Sequence, residues 1–320
     1  MSFSDWNNTT ILESIRYVSV LFNRYFPPVI IGLGIPANIL AIVVLSSPRY
    51  CGLTTSFYLR FLSVFDTNLL AVVLLLSYLE NNRPDLISNA FCKIYYVEDY
   101  FSFAMSNSLL VVVTVDRFIA IQFPLKAKIW CTVKRAKWVV LFVFIFVALC
   151  YSHLLIYGGL ETPIYGGEPF CRLQLEGIWR DVFNMFDVIY SVYTPFPVLL
   201  ILNILMARII LKSKKQRQST SSDTKLHQRE ISLTILLILV SIVFLLTSLP
   251  YVFHTNFWES GYVDYENDPV LSELRRASSS ISYVFLFINP MVNFYLYCLG
   301  SSKFRAEFKR LLCFWVVAVL

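Results

Sequence analysis

The sequence alternates between long apolar blocks and short polar segments. A helix that crosses a bilayer needs about 20 mainly apolar residues, and seven blocks of at least that length follow one another along the chain. Lipid offers no partner to a free backbone N–H, so each block must be a helix or part of a closed barrel. The unbroken run at 235–246 lacks the alternation of a barrel strand and favours helices. The predicted spans are 26–46, 57–79, 92–121, 136–157, 183–211, 230–254 and 277–299.

A shorter amphipathic segment, 302–314, follows the last block. Four of its apolar side chains fall on one side of a helix, and five charged side chains largely face elsewhere. The apolar four are Phe304, Phe308, Leu311 and Leu312. The predicted fold is therefore an all-α membrane protein, a seven-transmembrane helix bundle with a short amphipathic eighth helix.

Composition supports a membrane protein and argues against some classes of function. Hydrophobic residues make up 57% of the chain and charged residues only 15%, against about 45–50% and about 25% in an ordinary soluble domain. The three histidines are scattered, and no Cys/His cluster has the spacing of a metal site or a catalytic group. We therefore expect a protein that is not an enzyme, that lies in a lipid membrane and that has no nucleic-acid partner.

The basic residues indicate the orientation in the membrane. The first, third and fifth connections and the C-terminal tail carry 19 Lys and Arg against four acids, a formal charge of +15. The opposite side carries 8 basic and 16 acidic residues, and Asp66 in mid-span completes the net charge of +6. Because basic loops stay in the cytoplasm, the N-terminus is expected outside. The predicted domains are an extracellular N-terminal segment (1–25), a seven-transmembrane domain (26–299) and a cytoplasmic amphipathic helix with a short tail (300–320).

Sequons and cysteines agree with this orientation. Asn7 and Asn8 open overlapping N-glycosylation sequons in the segment placed outside, although such triplets also occur by chance. Of the seven cysteines, only Cys92, at the start of span three, and Cys171, in the loop after span four, face the oxidising exterior. They are expected to form one disulfide that ties this loop to span three.

Polar groups inside a membrane are costly and usually functional, and those of this chain form a pattern. In chain order they are Asn38, Asp66, Asp116-Arg117-Phe118, Phe244 with Pro250, and the run Asn289-Pro290-Met291-Val292-Asn293-Phe294-Tyr295-Leu296-Tyr297 followed by Phe304. With the Cys92–Cys171 pair, these motifs make the chain similar over nearly its whole length to rhodopsin-like (class A) G protein-coupled receptors. Two short segments, 55–60 at the start of span two and 293–298 in span seven, resemble those of invertebrate neuropeptide receptors of the FMRFamide-receptor kind.

The resemblance implies a switch at the cytoplasmic ends of spans three and six. Arg117 would pair locally with Asp116 and across the bundle with Glu230, and breaking the longer pair would open a cleft for a heterotrimeric G protein. The alternative for Glu230 is a helix N-terminal cap, worth about 0.3–1 kcal/mol. The other expected switch positions are Phe244, Pro250 and Tyr297. Arrestin is expected as a further cytoplasmic partner.

The resemblance also implies a polar core that holds a sodium ion. The family positions around the ion are occupied here by Asp66, Ser106, Asn289 and Asn293. A buried carboxylate needs a cation or a proton, so Asp66 is the expected metal ligand. The alternative is a hydrogen-bond network around a protonated Asp66. We expect no other cofactor.

Two departures from the family pattern concern spans six and seven. Ser248 stands where the family has a tryptophan, two residues before the span-six proline. The span-seven motif has two registers, one based on Asn289-Pro290 and one on Asn293-Phe294-x-x-Tyr297. The second is preferred because the spacing from Tyr297 to Phe304 then matches the family.

Asp99 is the leading candidate for contact with a ligand. It lies two helical turns after Cys92 on span three, a position that faces the ligand pocket in the family it resembles. Its expected neighbours are Tyr251, His254 and Phe287. The acidic outer surface would attract a cation, although the solubility of exposed loops could also explain it. We predict a basic peptide ligand, with an amine receptor that uses Asp99 as the ammonium partner as the alternative. The missing tryptophan at Ser248 counts against the amine.

Other expectations concern location and the tail. A multi-pass protein of the plasma membrane is predicted, and a ligand-gated channel, which would give current without a G protein, is a distant alternative. Cys313, near the end of the last helix, is a candidate for palmitoylation, with a free cysteine as the alternative.

Overall fold

The computed structural model is a bundle of long helices with one short β-hairpin. It describes residues 3–162, 169–217, 224–258 and 268–319, of which the side chains of 3–9, 23, 81, 213–217, 224–233 and 314–319 are not described. Seven helical segments within these ranges are long and apolar enough to cross a membrane. The predicted seven-helix fold is thereby confirmed.

The elements follow one another as a chain of helices interrupted by the hairpin. The helices are α1 (Phe3–Arg24), α2 (Phe26–Leu45), α3 (Thr54–Asn82), α4 (Asn89–Gln122), α5 (Pro124–Trp130), α6 (Val133–Tyr151), α7 (Leu154–Tyr157), α8 (Gly177–Val188), α9 (Pro195–Arg217), α10 (Thr224–Trp258), α11 (Pro269–Gly300) and α12 (Ser302–Val319). A π-helical turn, Ile189–Tyr193, joins α8 to α9. Spans one to seven are α2, α3, α4, α6 with α7, α8 with α9, α10 and α11.

Several spans extend beyond the apolar blocks of the sequence because polar side chains cap them. The Ser88 hydroxyl accepts a hydrogen bond from the Phe91 N–H at the start of α4, and the Asp268 carboxylate accepts two at the start of α11. Such caps satisfy N–H groups that have no partner within the helix. In front of span one, the sequence pattern missed helix α1, whose Arg16 reaches Glu273 on α11 at 3.3 Å.

The hairpin lies against the outer end of span three. Strand β1 (Gly158–Glu161) pairs antiparallel with β2 (Phe170–Leu173), and Cys171 of β2 forms a disulfide with Cys92 of α4. The Tyr96 hydroxyl, one turn further along α4, donates to the Cys171 carbonyl at 3.1 Å. The predicted disulfide is confirmed, and it ties strand β2 to the outer end of span three.

The eighth helix, α12, packs against the cytoplasmic end of span seven. Phe304 is almost fully buried, with its ring 5.6 Å from that of Tyr297 and 5.8 Å from that of Phe294. Glu307, 2% exposed, bonds Arg310 and lies 3.7 Å from Arg49 in the first connection. The helix extends to Val319, beyond the predicted end at 314.

Candidate functional site

A cavity lies among the spans, in the half of the bundle that carries the disulfide. Five of the residues that line it are aromatic and two are acidic. They are Leu69, Asp99, Tyr100, Phe103, Asp187, Tyr251, Tyr283, Leu286 and Phe287. The cavity volume is about 60 Å³. The structure thus brings together Asp99, Tyr251 and Phe287, three of the four residues predicted for ligand contact.

His254 is separated from the other three. It is buried, but its Nδ1 lies 3.1 Å from the Ser278 hydroxyl on span seven, and it does not line the cavity among the described residues. The placement of His254 as a cavity neighbour is corrected here. Three residues after Tyr251, its side chain faces span seven instead.

Asp187 lines the cavity, although it is one of the 16 acids that the sequence places on the outer side of the membrane. It is only 7% exposed. Its Oδ1 accepts hydrogen bonds from the Tyr151 hydroxyl at 2.7 Å and the Ser191 hydroxyl at 3.2 Å. The π-helical turn places Ser191 one turn beyond Asp187, and the Ser191 carbonyl accepts from the Asn107 amide of span three at 2.9 Å. These bonds join spans three, four and five behind the cavity.

A polar core lies deeper in the bundle around Asp66, which is fully buried. One carboxylate oxygen accepts from the Ser106 hydroxyl at 2.5 Å and the other from the Asn293 amide at 2.7 Å. The Oδ1 atoms of Asn293 and Asn289, one turn apart on span seven, are buried and have no hydrogen-bond donor among the described residues. A carboxylate beside unmatched amide oxygens suits a hard cation such as sodium.

The same contacts favour one register of the span-seven motif. Asn293, rather than Asn289, donates a hydrogen bond to Asp66, and the Tyr297 ring packs edge to face against that of Phe304. The Asn38 amide of span one donates to the Pro290 carbonyl at 2.8 Å. The Asn293-Phe294-x-x-Tyr297 register therefore fits the packing.

The cytoplasmic end of span three carries an acid–base pair with an added hydroxyl. Arg117 donates to Asp116 at 2.8 Å. The Thr54 hydroxyl, at the start of span two, donates to the same Asp116 oxygen at 2.8 Å and accepts from Arg117 at 3.1 Å. Asp116 and Arg117 are both largely buried. The contribution of Thr54 was not anticipated from the sequence.

The predicted partner of Arg117 on span six, Glu230, lies outside the described side chains. The backbone shows α10 beginning at Thr224, so Glu230 is in the second turn and does not open the helix as expected. The alternative of an N-terminal cap at Glu230 is therefore wrong.

The remaining predicted switch residues form part of the core. Phe244 is 1% exposed, and its carbonyl accepts from the Ser248 hydroxyl at 2.8 Å. A proline interrupts the hydrogen bonding of a helix. At this interruption in span six, the Pro250 carbonyl accepts a hydrogen bond from the Ser282 hydroxyl of span seven at 2.9 Å. The fully buried Tyr297 hydroxyl has no hydrogen-bond partner in the described part of the chain.

Comparison with known proteins identifies the family. The model of the "7 transmembrane receptor (rhodopsin family)" matches residues 37–297, which is most of the chain. The chain belongs to the rhodopsin family of seven-transmembrane receptors. It is therefore a multi-pass membrane receptor, and the family confirms the expectation that it is not an enzyme.

Three relatives show which receptors of the family this one is similar to. It is 29% identical over 303 residues to the FMRFamide receptor of Drosophila melanogaster, an alignment that covers 86% of this receptor and 51% of the relative. It is 26% identical over 296 residues to the growth hormone secretagogue receptor type 1 of Sus scrofa, covering 88% and 78%. It is 25% identical over 318 residues to the human thyrotropin-releasing hormone receptor, covering 88% and 76%. The receptor thus spans about half the length of the FMRFamide relative.

Two kinds of predicted modification remain predictions. Asn7 and Asn8 lie in α1, but their side chains are outside the described set. Cys313 is an exposed free cysteine on α12, a position that a lipid-modifying enzyme could reach.

Proposed function

We propose that this receptor binds an extracellular, positively charged peptide and activates a heterotrimeric G protein when span six opens outward. The observation that carries the proposal is the aromatic cavity with Asp99 at its wall. No hydrogen bond or ion pair joins Asp99 to another described residue. Its side chain is half-buried among aromatic residues, where an unpaired carboxylate calls for a cation. A relative is named for the peptide FMRFamide, which contains one arginine by its one-letter code.

The cytoplasmic side of the proposal rests on the Arg117–Asp116 pair. An added pair between Arg117 and Glu230 would hold spans three and six together, and a ligand that favours the open state would break it. The freed surface would receive the G protein and, later, arrestin. The orientation that this requires, with the N-terminus outside the plasma membrane, follows from the positive-inside rule.

The test is expression of the full chain in cells that report calcium and cAMP. FMRFamide and related amidated peptides are expected to give a response, and a panel of biogenic amines none. Silence to every peptide with a response to an amine would favour the alternative, an amine receptor in which Asp99 pairs with the ammonium.

Asp99→Asn is expected to lower the potency of the active peptide at least about tenfold, because a charged hydrogen bond contributes about 1.5–3 kcal/mol. The measurement is the concentration of half-maximal response. The control is Glu98→Gln, since Glu98 is turned toward Asn68 and bonds its amide and is not a cavity residue. Unchanged potency in Asp99→Asn would contradict the assignment.

The polar core is proposed to bind sodium, with Asp66 as the charged ligand and Ser106, Asn289 and Asn293 as oxygen donors. Because a bound ion stabilises the folded state, replacing sodium by N-methylglucamine should lower the Tm of purified receptor. Asp66→Asn should remove this dependence. A Tm that is insensitive to sodium in the unsubstituted receptor would favour the hydrogen-bond network alone.

A further inference from the structure

Two carboxylates from different spans face one cavity. Asp99 comes from span three and Asp187 from span five, and both belong to the cavity wall. None of the described residues in that wall is a lysine, arginine or histidine. Two acids in an aromatic surrounding repel each other unless a cation lies between them.

Asp187 is held in place by the protein. Both hydrogen bonds that it accepts, from Tyr151 and Ser191, go to Oδ1. Within the described residues, Oδ2 accepts none. One oxygen therefore fixes the carboxylate against spans four and five, and the other remains for a group in the cavity.

We infer that Asp187 contacts the ligand together with Asp99, and that the group they share is a guanidinium. The inference rests on the proposed function, because it takes the cavity to be the ligand site. A guanidinium carries five N–H donors in one plane and can serve two carboxylates at once, whereas an ammonium is a compact charge with three. It also stacks on aromatic side chains, and Tyr100, Phe103 and Tyr251 are aromatic residues of the wall.

The probe is arginine amide, and the measurement is the Tm of purified full-length receptor as a function of probe concentration. Arginine amide is expected to raise the Tm, and citrulline amide, which has the same shape without the charge, is expected not to. Asp187→Asn and Asp99→Asn should each weaken the apparent Kd at least about tenfold, the loss expected for one charged contact. The matched control is Asp181→Asn on the same helix, whose side chain is 70% exposed beside Arg180.

A second variant keeps the inference testable if Asp187→Asn does not fold. Tyr151→Phe keeps both carboxylates and removes the hydroxyl that holds Asp187, and should weaken arginine amide about two- to fivefold. Unchanged binding in both variants, or an equal effect of lysine amide, would overturn the inference. If arginine amide fails to bind a receptor that responds to FMRFamide, only this inference falls. If it binds through Asp187 while no peptide signals, the proposed peptide function falls instead.

Discussion

At the scale of single residues, the Thr54 hydroxyl joins the start of span two to the acid–base pair of span three. It donates to Asp116 and accepts from Arg117 in the same buried place. If Arg117 leaves this position when the cytoplasmic side opens, these bonds exist only in the closed state and therefore stabilise it relative to the open state. A buried hydrogen bond to charged groups contributes about 1.5–3 kcal/mol, enough to shift a two-state equilibrium about tenfold or more.

Thr54→Val is therefore expected to raise signalling in the absence of ligand, measured as basal cAMP or calcium response at equal surface expression. Thr55→Val is the matched control, because Thr55 is also fully buried but its hydroxyl makes no hydrogen bond within the described structure. Equal basal signals in the two variants would show that Thr54 does not hold the switch.

Residue-level prediction from sequence succeeded where a polar side chain interrupts an apolar run. Asp66 stands out in this way, and the structure places it in the polar core. Asp187 lies equally inside a predicted span, between Phe186 and Val188. It is near the outer end of that span, where sequence alone does not separate a cavity residue from an acid of the outer surface. The partners Tyr151 and Thr54 could not be foreseen, since their contacts depend on how separate helices are rotated against each other.

At the scale of elements, hydrophobic periodicity identified the spans and α12 but not their irregular parts. The π-helical turn at Ile189–Tyr193 leaves no trace in an apolar block, because one extra residue per turn does not change composition. Helix α1 was missed since its residues mix polar and apolar types without a long block. The disulfide was predictable because orientation alone left two exterior cysteines.

Helix α12 packs on the bundle through Phe304, whose ring contacts those of Phe294, Tyr297 and Tyr50. Phe304→Ala should destabilise the receptor by about 3–5 kcal/mol, the usual cost of emptying an aromatic site. The expected result is a lower Tm of the purified chain. Leu312→Ala on the same helix, 44% exposed, should leave the Tm nearly unchanged. Similar losses in both variants would mean that α12 is not anchored through this ring.

At the scale of the whole molecule, the charge distribution predicts which face lies outside the cell. The net charge of +6 is the sum of +15 on one face, −8 on the other and −1 from Asp66 between them. The acidic face includes the disulfide-linked hairpin and the outer ends of the spans that form the cavity. An acidic exterior would concentrate a cationic peptide near its site and raise the association rate, an effect that salt screens. The expectation of a cationic ligand therefore depends on the expectation that the acidic face lies outside the cell.

The orientation can be tested through the sequons at Asn7 and Asn8. With the N-terminus outside, a tag fused before Met1 should be stained by antibody on intact cells, and glycosidase treatment should lower the apparent mass. Replacing both asparagines by glutamine should abolish the mass change, whereas Thr9→Ser, which preserves both sequons, should not. Staining only after permeabilisation would reverse the assignment of every loop, including the side from which the ligand enters. Accessible tag without a mass change would leave the orientation intact and mark the two sequons as chance triplets.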